Sequence, residues 1–243
     1  MVWLEVFVAA LVTALATGLG ALPLLVVPRL SPRAMGVASG CAGGLMLAAS
    51  HGLVVEGSDL GLGRTLLGVI LGLVLIQLSD RLVRRRQDFA FTRLEGAGAR
   101  RALLVLAVMT IHSFAEGIAI GVSYGGGAKL GLAISAALAL HNIPEGLTIS
   151  LTMVPRGVSV GRAAWWSVFS SLPQPLMAVP AYLFVLAFTP FLPVGLGLAA
   201  GAMIWMVVAE ILPEALDQAP HGWVATAVVT SFAFLLALQG WLL

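Results

Sequence analysis

The sequence predicts an all-α membrane protein, a bundle of eight transmembrane helices, and composition and hydropathy pattern are the basis for this fold class. Hydrophobic residues make up 60% of the 243 residues, charged residues make up 10%, and the mean hydropathy is +1.03. Soluble domains carry about 25% charged residues, so most of this chain suits hydrocarbon rather than water. The apolar residues also fall into runs of about 20, the length that a helix needs to cross a bilayer.

Turn-forming residues or charges separate these apolar runs from one another. Pro28 and Pro32 follow the first run, and three glycines at 125–127 separate the fourth run from the fifth. The first run has no basic residue before it and contains Glu5, so we expect a retained span rather than a secretory signal peptide. We therefore treat 1–243 as a single transmembrane domain with spans at about 3–27, 34–55, 64–83, 101–123, 130–154, 161–188, 193–213 and 222–243.

Basic residues are distributed unevenly between the two sides of the predicted bundle. With the N-terminus outside, eleven of the 13 Lys and Arg residues lie on the inner side, and only Arg64 and Lys129 lie outside. This asymmetry predicts that both termini are extracytoplasmic and that the basic loop 84–100 is cytoplasmic. The single cysteine, Cys41, excludes an internal disulfide and a thiolate metal cluster. The arginines fall between apolar spans, so nothing indicates a nucleic-acid partner.

Two neighbouring spans repeat the same pair of ionisable residues. The fourth contains His112 and Glu116 in VMTIHSFAEGIAIGV, and the fifth contains His141 and Glu145 in LALHNIPEGLTISL. Each pair has the i, i+4 spacing that places both side chains on one face of a helix. Burying such groups in hydrocarbon is costly, so intramembrane ionisable residues indicate a functional site.

Side by side, the two helices would bring two imidazoles and two carboxylates together at one depth. This is a normal ligand set for a divalent cation such as Zn²⁺, and two glutamates neutralise one dication. Pro144 adds to the case, because its missing N–H frees the carbonyl of Leu140 beside the ligands. The alternative is two independent His–Glu hydrogen bonds that only hold the helices together.

The chain resembles the ZIP (Zrt/Irt-like) metal-transporter family in four features. These are HNIPEG in the fifth span, the matching His/Glu segment in the fourth, GGLMLAAS at 43–50, and eight spans with both ends outside. The likeness is greatest to its bacterial and GufA-like branches. The resemblance implies a protein of the bacterial inner membrane that imports Zn²⁺ or a related divalent metal ion. It also implies an elevator-like movement of helices 1, 4, 5 and 6 against helices 2, 3, 7 and 8, often within a homodimer.

The same resemblance implies which residues form the metal site. These residues lie on the second, fourth and fifth spans and are Met46, His112, Glu116, His141, Asn142 and Glu145. His112, Glu116 and Glu145 would be the principal ligands, and Met46 would supply a thioether. Without the resemblance, Met46 would be read as a core residue.

The chain departs from the family pattern where a second metal ion would be bound. Ser113 replaces an asparagine, Ala115 replaces a proline, and Gln174 in SSLPQP replaces a glutamate. These changes remove charge and ligands, so a second dication would be poorly neutralised and we expect a single metal ion. Gln174 could instead donate a hydrogen bond to Glu145 and fix its orientation.

The leading hypothesis is a transporter of divalent metal, with Zn²⁺ as the substrate. Mixed nitrogen and oxygen ligation does not rank Zn²⁺ against Cd²⁺, Fe²⁺, Mn²⁺ or Co²⁺. An intramembrane metalloenzyme is the alternative from another class, but no H-E-x-x-H motif occurs, so we expect no enzymatic activity. A non-transporting metal sensor or scaffold is a third hypothesis, motivated by Ser113 and Gln174. At the inner end of the seventh span, Glu210, Glu214 and Asp217 are candidates for a cation exit, although exposed helix caps explain Glu214 and Asp217 equally well.

Overall fold

In the computed structural model the chain is helical almost throughout the residues that are described, which are 2–27, 30–90, 97–154 and 157–242. No β-strand occurs in these ranges, and the all-α prediction is confirmed. Helices satisfy every backbone group internally, which is why an apolar chain of this kind adopts them. Six segments of the described chain are long and apolar enough to cross a membrane: Val2–Val26, Pro32–Leu78, Ala128–Leu151, Val160–Ala187, Thr189–Gln218 and His221–Gly240.

The helices are numbered here in chain order. They are α1 Val2–Leu19, α2 Pro23–Val26, α3 Pro32–Ala90, α4 Ala97–Gly126, α5 Ala128–Met153, α6 Val160–Ser171, α7 Pro173–Ala187, α8 Leu192–Met206, α9 Leu212–Gln218 and α10 His221–Leu242. Helix α5 continues through Pro144. Predicted single spans are interrupted at Leu172, before Pro173, and at a π-helical turn, Val207–Ile211, between α8 and α9.

The basic segment predicted as the loop 84–100 is helical at both ends. Helix α3 extends to Ala90 and α4 begins at Ala97. Residues 91–96 lie outside the described residues, as do 28–29 and 155–156, which include Pro28.

Helix α3 holds two of the predicted spans and reverses its direction between them. Gly61 has φ 157° and ψ 95°, a backbone conformation that glycine adopts readily and other residues do not. A Cβ on Gly57 would lie 2.8 Å from Oγ1 of Thr65. In a straight helix, residues eight positions apart are separated by about 12 Å, so the chain folds back at Gly61. We call 32–60 the first arm of α3 and 62–90 the second arm.

The helices can be placed in two groups, which contact each other where α3 packs on α5 and α8 packs on α4. In the α4–α5 group, α1, α4, α5, α6 and α7 pack on one another, and Gly146 of α5 approaches the backbone of Thr17 in α1. In the α3–α8 group, α3 packs on α8, α9 and α10, and Gly72 of the second arm approaches the backbone of Leu198. Small residues permit such close approach, which replaces the hydrophobic effect as a source of helix association in lipid.

Candidate metal site

The hairpin of α4 and α5 sets the level of the ionisable residues. Gly127, with φ 135°, joins the two helices. His112 lies 15 residues before Gly127 and His141 lies 14 residues after it, so two antiparallel helices carry the imidazoles to the same level. Glu116 is one turn nearer to the hairpin and Glu145 one turn further away. Around one point, the two histidines therefore lie at the same level, Glu116 lies on the side nearer to the hairpin, and Glu145 lies on the opposite side.

The two histidines and two glutamates predicted from the sequence meet in one cluster. One ligand atom from each of His112, Glu116, His141 and Glu145 lies within 4.8 Å of all the others. Nε2 of His112 is 3.4 Å from Nε2 of His141, and Oε1 of Glu116 is 3.4 Å from each of these nitrogens. Oε2 of Glu145 is 3.8 Å from Nε2 of His141. Tetrahedral Zn²⁺ with ligands at about 2.0–2.1 Å requires ligand atoms about 3.4 Å apart.

The cluster is buried and several of its polar atoms have no hydrogen-bond partner. The exposed fractions of the four side chains are between 0% and 5%. Oε1 of Glu116 and both carboxylate oxygens of Glu145 make no hydrogen bond. An unsatisfied buried polar atom costs about 1–3 kcal/mol, and more when charged. A divalent cation would satisfy the carboxylate oxygens at once, so the donor set fits a metal ion.

Contacts across the two helices argue against two independent His–Glu pairs. Glu116 lies as close to His141 on α5 as to His112 on its own helix. Two contacts of 3.4 Å join the pairs, one between the imidazoles and one between Glu116 and His141. The four side chains therefore form a single group, as the binding of one shared metal ion would require.

Gln174 of α7 lies beside the cluster, in a different place from the one expected. Its Nε2 donates a hydrogen bond to Oε2 of Glu116 at 2.6 Å, so the predicted bond to Glu145 is wrong. The reason is the packing of α7 on α4, where Gly117 lets the backbone of Gln174 approach. The amide is therefore placed beside Glu116, the residue preceding that glycine.

A hydrogen-bond network continues from Gln174 to α1 and α5. Oγ1 of Thr13 donates to Oε1 of Gln174 at 2.6 Å. Nδ2 of Asn142 lies 3.3 Å from the same oxygen and donates to the carbonyl of Thr13 at 2.8 Å. Thr13 was not among the residues predicted from the sequence, although Thr13 and Thr17 form an i, i+4 polar pair within an apolar helix. Thr17 contacts Ser171 at 2.8 Å, so both threonines face α6 and α7.

Two buried methionines from the α3–α8 group lie near the cluster. Sδ of Met206 in α8 contacts Nδ1 of His112, and Met206 was not among the residues predicted from the sequence. Met46 is fully buried in the first arm of α3, one turn beyond Ala42, whose backbone lies beside the His141 ring. The sequence offered no local signal for Met206, because a methionine in an apolar helix is usually a core residue.

The remaining candidates lie outside this cluster. Ser113 is fully buried, and its hydroxyl makes no hydrogen bond. Glu210, in the π-helical turn, is within electrostatic reach of His112. Nε2 of Gln218 donates to Glu214 at 3.1 Å, and Asp217 is exposed.

Comparison with known proteins gives matches that include both helices of the site, α4 and α5. A family model described as ZIP Zinc transporter matches residues 90–242. The zinc transporter GufA of Myxococcus xanthus is 32% identical over 96% of this chain and 96% of its own length. The zinc transporter ZIPB of Bordetella bronchiseptica is 33% identical over 92% of this chain and 77% of its own length. A candidate zinc transporter of Arabidopsis thaliana is 45% identical over 94% of this chain, which spans 37% of that relative's length.

Proposed function

Because the chain belongs to the ZIP zinc transporter family, we propose that it carries a divalent metal ion, with Zn²⁺ as the substrate, through the His/Glu cluster. The resemblance stated from the sequence is thereby confirmed. One observation carries the proposal: four ligand atoms from two adjacent helices lie within 4.8 Å of one another in a buried position. Two carboxylates balance the charge of one dication, which makes the loaded site compatible with low dielectric.

We assign Nε2 of His112, Nε2 of His141 and one carboxylate oxygen from each of Glu116 and Glu145 as the ligands. Met46 is assigned as an additional thioether on the basis of the family resemblance and its burial. Asn142 contributes through the network, because its amide nitrogen bonds to Thr13 and Gln174. Cd²⁺, Fe²⁺, Mn²⁺ and Co²⁺ are further candidate substrates, since the ligands suit several of these ions.

The site is proposed to hold one metal ion. A second ion beside Glu116 would have to break the bond that Gln174 donates to Oε2. The amide supplies no negative charge, and Ser113 supplies none either, so a second dication would remain unneutralised. The side chain of Gln174 thus satisfies the carboxylate oxygen that a second ion would otherwise use.

We propose eight membrane crossings with both termini extracytoplasmic. The directions of the packed helices support this arrangement. Helix α3 reverses at Gly61, and α4 and α5 form a hairpin. Helix α8 runs antiparallel to α4, because Gly195 packs on Val122 while Met206 contacts His112. The excess of Lys and Arg on one side of this arrangement supports a cytoplasmic assignment for that side.

Import is proposed to proceed by movement of one helix group against the other. Met46 belongs to the α3–α8 group, but the four His and Glu ligands all belong to the α4–α5 group. The network of Gln174 and Thr13 joins α1, α4, α5 and α7 within that group. The α4–α5 group can therefore move as a unit that carries the ion, as an elevator-like mechanism requires. A homodimer and a bacterial inner-membrane location complete the proposal.

Uptake into proteoliposomes tests the function. Purified protein is reconstituted with a Zn²⁺-sensitive dye inside, and wild type is compared with Glu145→Ala. Asp59→Asn is the matched control, because this exposed carboxylate lies outside the cluster. We expect uptake by wild type and by the control and loss of uptake in Glu145→Ala. Equal flux in wild type and Glu145→Ala would refute the proposal.

A non-transporting metal-binding protein is the second candidate, motivated by Ser113 and Gln174. The network ties helices of the same group together and leaves the contact between the two groups free of it. It therefore does not prevent the proposed movement. Tight Zn²⁺ binding by calorimetry combined with no flux would favour this candidate. The relatives are named transporters, and the family is not enzymatic.

A further inference from the structure

Met206 contacts the ring nitrogen of His112 that does not face the cluster. Nε2 of His112 points towards Nε2 of His141 and Oε1 of Glu116, at 3.4 Å from each. Nδ1, on the other side of the ring, is in contact with Sδ of Met206. The imidazole is therefore held between the proposed metal ligands and one thioether.

The chemistry of the two partners defines the proton arrangement on the ring. A neutral imidazole has a proton on one nitrogen and a lone pair on the other. A thioether sulfur accepts a hydrogen bond weakly and cannot donate one. Contact with Met206 therefore favours the tautomer in which Nδ1 carries the proton and Nε2 presents its lone pair to the cluster. Metal-binding histidines usually obtain this arrangement from a carboxylate or a carbonyl, which are stronger acceptors.

The position of Met206 in the fold gives this contact a second property. Met206 is the last residue of α8 and directly precedes the π-helical turn Val207–Ile211. Such turns are rare and frequently occur at functional sites. Helix α8 belongs to the α3–α8 group, whereas His112 belongs to the α4–α5 group. The contact thus crosses the boundary along which the two groups are proposed to move.

We propose that Met206 is a positioning residue of the transport site, which holds His112 in its metal-binding tautomer while the two helix groups are packed as in this structure. When the groups move past one another, the thioether leaves Nδ1 and the ring is no longer held. The affinity for the metal ion is therefore coupled to the relative position of the two helix groups. This inference rests on the proposed function, because it assumes that His112 binds the transported ion.

The expected effect is on affinity rather than on folding. Partners that hold a metal-binding histidine typically contribute 10–100-fold to metal affinity. We expect Met206→Leu, which retains the bulk and removes the acceptor, to weaken Zn²⁺ binding about 10-fold, near the lower end of this range. Met206→Gln supplies an amide oxygen as acceptor and is expected to restore binding to within about threefold of wild type. Met203→Leu, in the core one turn earlier on α8, is the matched control and should bind as wild type does.

The experiment combines calorimetry with ZnCl₂ on the full chain in detergent and ¹⁵N NMR of histidine-labelled protein. Support requires the 10-fold loss in Met206→Leu, rescue by Met206→Gln, and an Nδ1–H tautomer of His112 that depends on Met206. The inference is overturned if Met206→Leu binds Zn²⁺ like Met203→Leu, or if His112 in wild type carries its proton on Nε2. The second criterion applies even if Met206→Leu does not fold. If wild type itself binds no Zn²⁺, the proposed function fails together with this inference. If wild type binds Zn²⁺ and Met206→Leu binds it equally well, only this inference fails.

Discussion

Replacing Gln174 by glutamate tests the view that an amide occupies the place of a second metal ion. In the structure, Nε2 of Gln174 donates to Oε2 of Glu116 at 2.6 Å. Gln174→Glu replaces that donor with a carboxylate oxygen of nearly the same size. The metal-free protein then contains a third buried carboxylate, directly against Glu116. The same change supplies the charge that a second dication needs.

The geometry gives the magnitude of the effect. A hydrogen bond to a charged group contributes about 1.5–3 kcal/mol, and this contribution is removed. Two unit charges 2.6 Å apart repel by about 6 kcal/mol at an effective dielectric constant of 20. This value is an upper limit, because the side chains can separate or the two carboxyl groups can share a proton. We expect the metal-free variant to be less stable than wild type by at least about 2 kcal/mol. For a chain of this size, each kcal/mol corresponds to about 2–4 °C in Tm.

The assay measures thermal unfolding in detergent with and without Zn²⁺, together with the number of ions bound per chain. We expect Gln174→Glu to lower Tm by at least about 4 °C without metal, to recover with Zn²⁺, and to bind two ions instead of one. Gln239→Glu is the matched control. Gln239, on α10, is also buried, but it lies beside Gly52 of α3 and not in the cluster. It should leave the stoichiometry at one. A Gln174→Glu variant that is as stable as wild type without metal, and that binds one ion, would refute the reasoning.

Two further substitutions test how the α4–α5 group is held together. Gly146→Ala would place a Cβ on the carbonyl of Thr17, so we expect a large loss of stability and of folded yield. Gly161→Ala, with no atom within 4 Å of its Cβ, is the control and should behave as wild type. Size-exclusion chromatography and thermal unfolding measure the difference, and equal Tm values for the two variants would contradict the close packing. Thr13→Val removes the hydroxyl that donates to the amide oxygen of the network, and we expect a loss of about 1–2 kcal/mol. The exposed Thr226→Val is its control, and an unchanged unfolding midpoint in both variants would show that the network does not stabilise the fold.

The parts of the site that depend on local geometry could be predicted from the sequence. The i, i+4 spacing of His112 and Glu116 fixes their common face on any helix. The glycines at 125–127 indicated a hairpin, which brings His141 and Glu145 to the same level. These relations involve one helix or two consecutive helices, so few conformations satisfy them.

The parts that depend on distant helices could not be predicted in this way. Met206 is 94 residues from His112, and Thr13 is 161 residues from Gln174. Their contacts follow from how α8 and α1 are rotated about their axes, which apolar runs of nearly uniform composition do not specify. The partner of Gln174 was predicted incorrectly for the same reason, because the approach at Gly117 determines which glutamate the amide meets.

The nearly equal arms of the α4–α5 hairpin place a strict limit on changes in chain length. One residue inserted between His112 and Gly127 would rotate the histidine by about 100° around its helix and shift it by about 1.5 Å along the axis. The imidazole would then leave its partners on α5. Insertions and deletions in this segment should therefore abolish the ligand cluster, whereas changes in the side chains that face lipid should be tolerated.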